Sequence, residues 1–330
     1  MIQFAVGLIA IIKGADWLTD GAASIAQRFG IPSIVIGLTI VAMGSSAPEF
    51  VVSVMSAIQG NTDMALGNIV GSNIFNILGI MGITAMVREI KVDRGNIRYD
   101  VPFAVLSSAV IAITALDSYL NEGMANSISR TDGMLLLCLF AIFMSYTIAI
   151  ATPCNHVTNV TDVTDVTDVT SSASDKKQSL KDVVFIIGGL SCLIIGGDWL
   201  VSGASGIASA LGISDAIIAL TIVSAGTSAP ELAASVMAAR KGDTAMALGN
   251  VVGSVSFNVF FVLGAAATIH PLSLGDVTTM DIMTVLAASI LLWVFCKFGK
   301  TYYTLTRSEG LILTLLAIAY YTYLVLQMKN

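Results

Sequence analysis

Long apolar runs alternate with short polar loops along the whole chain, and the runs are long enough to cross the hydrocarbon core of a bilayer. They predict about ten helices, near residues 2–27, 33–58, 64–87, 101–116, 133–151, 183–209, 216–239, 244–267, 282–296 and 309–327. Five fall on each side of the polar stretch 152–182, TPCNHVTNVTDVTDVTDVTSSASDKKQSLKD, which repeats Val-Thr-Asp and has too few large apolar groups to pack a core. The expected fold is an all-α integral membrane protein built from two five-helix halves, 1–151 and 183–330, joined by a disordered low-complexity linker at 152–182.

Composition agrees with that pattern. With 55% hydrophobic residues, 12% charged residues and a mean hydropathy of +0.85, the chain is too apolar for a soluble globule. The net charge of -6 comes from scattered loop acids and says little about partners, and with no basic patch to suggest one, no nucleic-acid partner is expected. Met1-Ile2-Gln3-Phe4 offers no basic leader, so no cleaved signal peptide is expected. Cys138, Cys154, Cys192 and Cys296 are isolated and suit neither a disulfide framework nor a zinc site.

The segment Leu38 to Asn76 recurs as Leu220 to Asn258, 182 residues later, with 25 identities in 39 ungapped positions. In the same register Gly14-Ala15-Asp16-Trp17-Leu18 matches Gly196-Gly197-Asp198-Trp199-Leu200, and Gly30-Ile31 matches Gly212-Ile213. Five spans per copy is an odd number, so the second copy enters the membrane in the opposite sense and the duplication is an inverted repeat. Loops after odd-numbered helices hold 13 of the 16 basic residues, among them Arg88, Arg240 and Lys181. The opposite side holds Arg130 and Lys329, and Lys13 sits within the first helix. By the positive-inside rule the odd loops and the linker are cytoplasmic, in a cell membrane, with both termini outside.

Each copy carries a carboxylate in its apolar core, Glu49 and Glu231. Ionisable groups in hydrocarbon are costly and usually functional, so matched acids on an inverted repeat read as a cation path. Gly44-Ser45-Ser46-Ala47-Pro48-Glu49 and Gly226-Thr227-Ser228-Ala229-Pro230-Glu231 put a proline one residue before each acid. Proline lacks an N–H, which frees the carbonyl four residues back, at Gly44 and Gly226. Hydroxyls of Ser45, Ser46, Thr227 and Ser228 add neutral oxygens within a turn. Such an all-oxygen set suits a hard cation such as Ca²⁺, which takes about six to eight oxygens. On the next helices Asn68, Ser72 and Asn76 are spaced by four, as are Asn250, Ser254 and Asn258, so each trio forms a polar stripe. Gly67 with Gly71 and Gly249 with Gly253 are small surfaces for close helix approach. Asp16 and Asp198 read as interhelical packing residues, and Lys13, three residues before Asp16, is expected to pair with it.

The motif pairs GSSAPE with GNIVGSNIFN and GTSAPE with GNVVGSVSFN resemble the two alpha repeats of the cation/calcium antiporter superfamily, specifically the sodium/calcium exchangers. The resemblance covers nearly the whole chain. It implies a bundle in which helices two, three, seven and eight enclose the ions while helices one and six slide across them. It further implies that Glu49 and Glu231 bind Ca²⁺ and Na⁺ alternately, with backbone oxygens of Ser45 and Thr227 as further ligands. Ser46, Ser228, Ser72 and Ser254 would serve flanking Na⁺ sites, and Asn76 and Asn258 would shape the middle. Some relatives of this kind, including the potassium-dependent branch, have Asp where this chain has Asn258. A further departure is Val255-Ser256, where the first copy has Asn73-Ile74.

The leading expectation is an antiporter that exchanges Na⁺ for Ca²⁺ by alternating access. Its rival is Ca²⁺/H⁺ exchange, because a buried carboxylate can also carry a proton. An intramembrane hydrolase around Ser46 or Ser228 lacks a base, since His156 falls in the linker and His270 in a loop. A channel is less suited to two acids on an inverted repeat, which favour an occluded site over a pore ring. No enzyme activity and no resident cofactor are expected; Ca²⁺ and Na⁺ enter as transported ions, the bilayer is the surrounding partner, and nothing marks a protein partner. In the linker, Asp162, Asp165 and Asp168 recur at the wrong spacing for an EF-hand loop, and the sequon at Asn159 would stay unmodified on the cytoplasmic side.

Overall fold

A computed structural model describes residues 2–116, 126–151, 181–196, 198–199, 224–275 and 277–327. Most of the predicted linker lies outside them, as do residues 200–209 and 216–223 of two predicted helices and the Gly212-Ile213 match between those helices.

The described chain is helical almost throughout. Helices α1 (Ile2–Phe29), α2 (Ser33–Ser45), α3 (Ala47–Ile58), α4 (Met64–Val87), α5 (Arg94–Ala115) and α6 (Arg130–Ala151) make the first half. Helices α7 (181–196), α8 (Ser224–Thr227), α9 (Ala229–Lys241), α10 (Thr244–Ile269), α11 (Thr279–Phe298) and α12 (Arg307–Gln327) belong to the second. Among the described residues six of these are long and apolar enough to span a membrane, and α2 with α3 passes the same test only as a pair, bent by 49° between them. The chain is therefore an all-α integral membrane protein. Helix α5 starts several residues before the expected 101, because Arg94, Arg98 and Asp100 in its first turns mask it in a hydropathy reading.

The duplication persists in local structure. Asn61 accepts the Met64 N–H at 3.1 Å ahead of α4, and its repeat mate Asp243 accepts the Met246 N–H at 2.9 Å ahead of α10. These caps satisfy orphan amides at equivalent helix starts. A π-helical turn interrupts each of the two helices at matching places, Phe75–Ile80 and Asn258–Leu263. Two short antiparallel ribbons tie one half to the other. Strand β1 (Ile90–Lys91) pairs with β4 (Thr304–Leu305), and β2 (Ser127–Ile128) pairs with β3 (Leu272–Ser273).

Helices α4 and α10 form the centre, 78% buried over their span windows, whereas α6 and α12 are 17% and 22% buried and form the outer wall. Centrality requires small residues at the crossings. A Cβ added to Gly249 would lie 2.5 Å from the Ile34 carbonyl oxygen, and one at Gly37 would lie 2.5 Å from that of Met246. Both obstacles are backbone and cannot swing away, so α2 crosses α10 only because neither position carries a side chain. Gly249→Val is expected to lower the thermal midpoint of the purified protein sharply, since overpacking a tight contact costs at least about 1–3 kcal/mol. An unchanged midpoint would contradict this packing.

Lys13 does not pair with Asp16. The partner is Lys241 at the end of α9, whose ammonium lies 2.6 Å from Asp16 Oδ1 and 2.9 Å from Asp20 Oδ1, and donates to the Asp16 carbonyl at 2.8 Å. One cation arriving from a neighbouring helix reaches both acids, which are one turn apart, whereas Lys13 shares a helix face with only one of them. The contact ties α1 to the helix that carries Glu231.

Candidate functional site

The chain breaks at Ser46 and Ser228 with nearly identical geometry, φ -84° and ψ 10° at the first, φ -87° and ψ 7° at the second. Pro48 and Pro230 sit in the first turns that follow. Ser46 and Ser228 still accept from the N–H groups of Phe50 and Leu232 at 3.1 Å, but Gly44 and Gly226 face a proline four residues on and have no amide to accept from there. Each break therefore leaves a backbone oxygen without its usual helical partner and precedes the turn that points the acid inward.

Glu49 and Glu231 follow the breaks directly and are fully buried. Their carboxylates are held across the repeat. Ser46 Oγ donates to Glu231 Oε1 at 2.7 Å, and Ser228 Oγ donates to Glu49 Oε1 at 3.0 Å. Reciprocal contacts of this kind, i to j+182 and i+182 to j, are the signature of a pseudo-two-fold axis running between the two acids. The Ser45 hydroxyl lies within donating distance of the Ala42 carbonyl, at 3.3 Å, and of Asn250 Oδ1 across the repeat, at 3.4 Å.

The first asparagine of each stripe braces the opposite side of the acid's helix. Asn68 Nδ2 donates to the Glu49 carbonyl at 3.3 Å and to Ser53 Oγ at 3.0 Å; Asn250 Nδ2 donates to the Glu231 carbonyl at 3.2 Å and to Ser235 Oγ at 2.8 Å. These are positioning contacts that fix the rotation of α3 and α9. Farther along, Ser72, Asn76, Ser254 and Asn258 are buried at the centre of α4 and α10. Asn76 and Asn258 fall at the π turns, where the helix widens and a side chain is re-aimed relative to a regular helix.

Buried polar atoms without a hydrogen-bond partner are rare in folded proteins and call for an explanation. Among the described residues most of them gather in one place: Glu49 Oε2, Glu231 Oε2, the Ser72, Ser254 and Ser256 hydroxyls, both amide atoms of Asn76, Asn73 Nδ2 and Asn258 Oδ1. Each carboxylate thus commits one oxygen to a serine and keeps the other free. Asn258 Nδ2 donates to Asn73 Oδ1 at 3.1 Å, which leaves the Asn258 carbonyl oxygen and the Asn73 amide nitrogen without partners.

All ten residues singled out from the sequence, Glu49, Glu231, Asn76, Asn258, Ser45, Thr227, Ser46, Ser228, Ser72 and Ser254, lie on α2–α4 and α8–α10 or at the two breaks, and Ser46 and Ser228 touch the acid of the opposite half directly. Two neighbours were missed. Asn73 and Ser256 are fully buried beside them, Asn73 as the acceptor for Asn258 and Ser256 with an unpartnered hydroxyl. The signal for both was the local mismatch of the two copies, Asn73-Ile74 against Val255-Ser256.

Comparison with known proteins gives a consistent answer. A family profile described as sodium/calcium exchanger protein matches residues 1–149 and 181–328. A putative antiporter CaxA of Alkalimonas amylolytica is 38% identical over 320 residues, covering 96% of this chain and 95% of that one. The sodium/calcium exchanger MaX1 of Methanosarcina acetivorans is 30% identical over 336 residues, 96% of this chain and 95% of the other. Among solved structures, the sodium-calcium exchanger NCX_Mj superposes with a TM-score of 0.81 at 28% identity, over 96% of each chain.

Proposed function

The chain belongs to the sodium/calcium exchanger protein family, and on that footing we propose that it is a secondary active antiporter moving Na⁺ against Ca²⁺ through one buried, alternately accessible site. The observation that supports this most is the reciprocal pair Glu49 and Glu231, each held by a serine of the opposite repeat and each with a free oxygen. Two carboxylates neutralise one Ca²⁺. The carboxamide oxygens of Asn76 and Asn258 and the freed carbonyls at the two breaks raise the oxygen count toward what Ca²⁺ takes. In this reading Na⁺ ions occupy the same carboxylates with Ser46, Ser72, Ser228 and Ser254, and the backbone oxygens of Ser45 and Thr227 complete the set.

Alternating access follows from the duplication. Because the two halves are equivalent and inverted, a conformation open to one side has a counterpart of similar energy open to the other. The proposed halves are 1–151 and 183–330, with 152–182 as a cytoplasmic linker. In a variant retaining only the native Cys154, a membrane-impermeant thiol reagent is expected to label the linker in inside-out vesicles and not in right-side-out ones. The reverse result would invert the orientation and leave the repeat intact.

Ca²⁺/H⁺ exchange is the second reading, since the free carboxylate oxygens can also take protons. The buried hydroxyls of Ser72 and Ser254 favour Na⁺, because neutral oxygens help bind a metal ion and do nothing for a proton on a carboxylate. Proteoliposomes separate the two. A Na⁺ gradient at clamped pH is expected to drive ⁴⁵Ca²⁺ flux, and a pH gradient without Na⁺ is not; the opposite pattern would replace Na⁺ by H⁺ as the coupling ion.

A further inference from the structure

Away from the membrane centre, three guanidinium groups converge on one cavity. Arg88 follows the end of α4, Arg240 lies in the last turn of α9 and Arg307 opens α12. Together with Val87 they line a cavity of about 370 Å³. All three are exposed and, among the described residues, none has an ion-pair or hydrogen-bond partner. Their neighbour Lys241 is different, being fully engaged with Asp16 and Asp20.

The fold holds the three charges together rather than letting them part. The β1–β4 ribbon, in which Ile90 pairs with Leu305, joins the chain leaving α4 to the chain entering α12 and so brings Arg88 and Arg307 to one pocket. Like charges held close repel one another. On its other side Arg88 lies against the left-handed cap Gly242, where an added Cβ would come within 3.4 Å of the guanidinium, and this keeps it beside the end of α9 and Arg240. The repeat does not demand such a cluster. At the symmetry-related positions Arg88 becomes His270 and Arg240 becomes Ile58, so the opposite face of the protein lacks it.

We propose that Arg88, Arg240 and Arg307 form a binding site for a phosphate-bearing anion at the basic membrane face. Guanidinium groups match phosphate oxygens in bidentate geometry, and the negative charge of a phosphate offsets the mutual repulsion of the three cations. The cavity sits where α4 and α9 end and α12 begins, and Val87 gives it an apolar wall, so the headgroup of an acidic phospholipid can enter from the bilayer while a free phosphate enters from water. A bound anion would bridge the ends of α4 and α9, the helices that carry Asn76 and Glu231, and so stiffen the scaffold of the ion site without touching it.

The test uses the purified full-length chain in detergent micelles at fixed ionic strength. Its thermal midpoint is followed with added phosphatidylcholine, phosphatidylglycerol or inorganic phosphate. Phosphatidylglycerol is expected to raise the midpoint above phosphatidylcholine. A rise with inorganic phosphate as well identifies the phosphate group as sufficient, and a rise with the lipid alone identifies the headgroup in its bilayer setting. The R88Q/R307Q double variant should lose the gain, with lipid affinity falling roughly fivefold for each guanidinium removed. Arg130→Gln, on the other face, should keep it. No gain in the wild-type protein with either anion, or a gain that survives in the double variant, would overturn the proposal. Should the double variant fail to fold, hydrogen exchange on the wild-type protein decides. Phosphatidylglycerol must protect amides near 84–91, 238–243 and 305–309, and protection confined elsewhere refutes the site.

Discussion

Glu49→Gln and Glu231→Gln are each expected to abolish Ca²⁺ transport in proteoliposomes while leaving a folded protein. Glutamine keeps the volume and an oxygen that can accept from Ser228 or Ser46, so the interhelical contacts at 3.0 and 2.7 Å have a successor in the variants. What disappears is one of two negative charges facing a divalent ion in a medium of low dielectric constant. Removing one member of a buried charge pair costs about 3–5 kcal/mol, which corresponds to a loss of roughly 100-fold or more in affinity. A milder loss in Ser46→Ala and Ser228→Ala would agree, because those changes free a carboxylate oxygen without removing charge. Robust Ca²⁺ uptake by either folded Gln variant would remove the carboxylates from the mechanism.

The second large effect concerns potassium. Na⁺-driven Ca²⁺ flux is expected to persist when K⁺ is replaced by choline on both sides, and Asn258→Asp is expected to make the flux respond to K⁺. With Glu49 and Glu231 as the central acids, a bound Ca²⁺ leaves the site neutral; adding K⁺ would leave a net positive charge in the bilayer interior, at a cost of roughly 2.5–3.5 kcal/mol. That cost disfavours co-binding about 100-fold. Asn258 supplies a carbonyl oxygen, with its amide nitrogen committed to Asn73, and no charge. An aspartate there would add the third negative charge that a further monovalent cation can balance. Loss of most wild-type flux on K⁺ removal, restored by K⁺ at clamped membrane potential, would refute this.

Much of this architecture was legible because two strong physical costs leave marks in sequence. Charge in hydrocarbon is expensive, so Glu49 and Glu231 stand out, and a proline in a helix removes an amide, so the freed carbonyls of Gly44 and Gly226 could be named, although 33–58 and 216–239 read as unbroken helices and the breaks at Ser46 and Ser228 did not show. The 39-residue duplication then fixed which positions correspond. Which hydroxyl meets which carboxylate could not be read, because the crossing of Ser46 to Glu231 and Ser228 to Glu49 depends on a symmetry axis that exists only in three dimensions. The π turns at Phe75–Ile80 and Asn258–Leu263 have no local composition signal and re-aim Asn76 and Asn258 from the straight stripes that a spacing of four suggests. Long-range ion pairs were equally hidden: local spacing favoured Lys13 for Asp16, and the fold delivers Lys241 from 225 residues away.

The account rests on Na⁺ and Ca²⁺ sharing one pair of buried carboxylates, and equilibrium binding of ⁴⁵Ca²⁺ to the purified protein under rising Na⁺ at constant pH and ionic strength tests that claim most directly. The apparent Ca²⁺ dissociation constant is predicted to climb steeply with Na⁺, to stay unmoved by choline, and bound Ca²⁺ to saturate at one ion per chain. Ca²⁺ binding that is indifferent to Na⁺ while remaining dependent on Glu49 and Glu231 would contradict it.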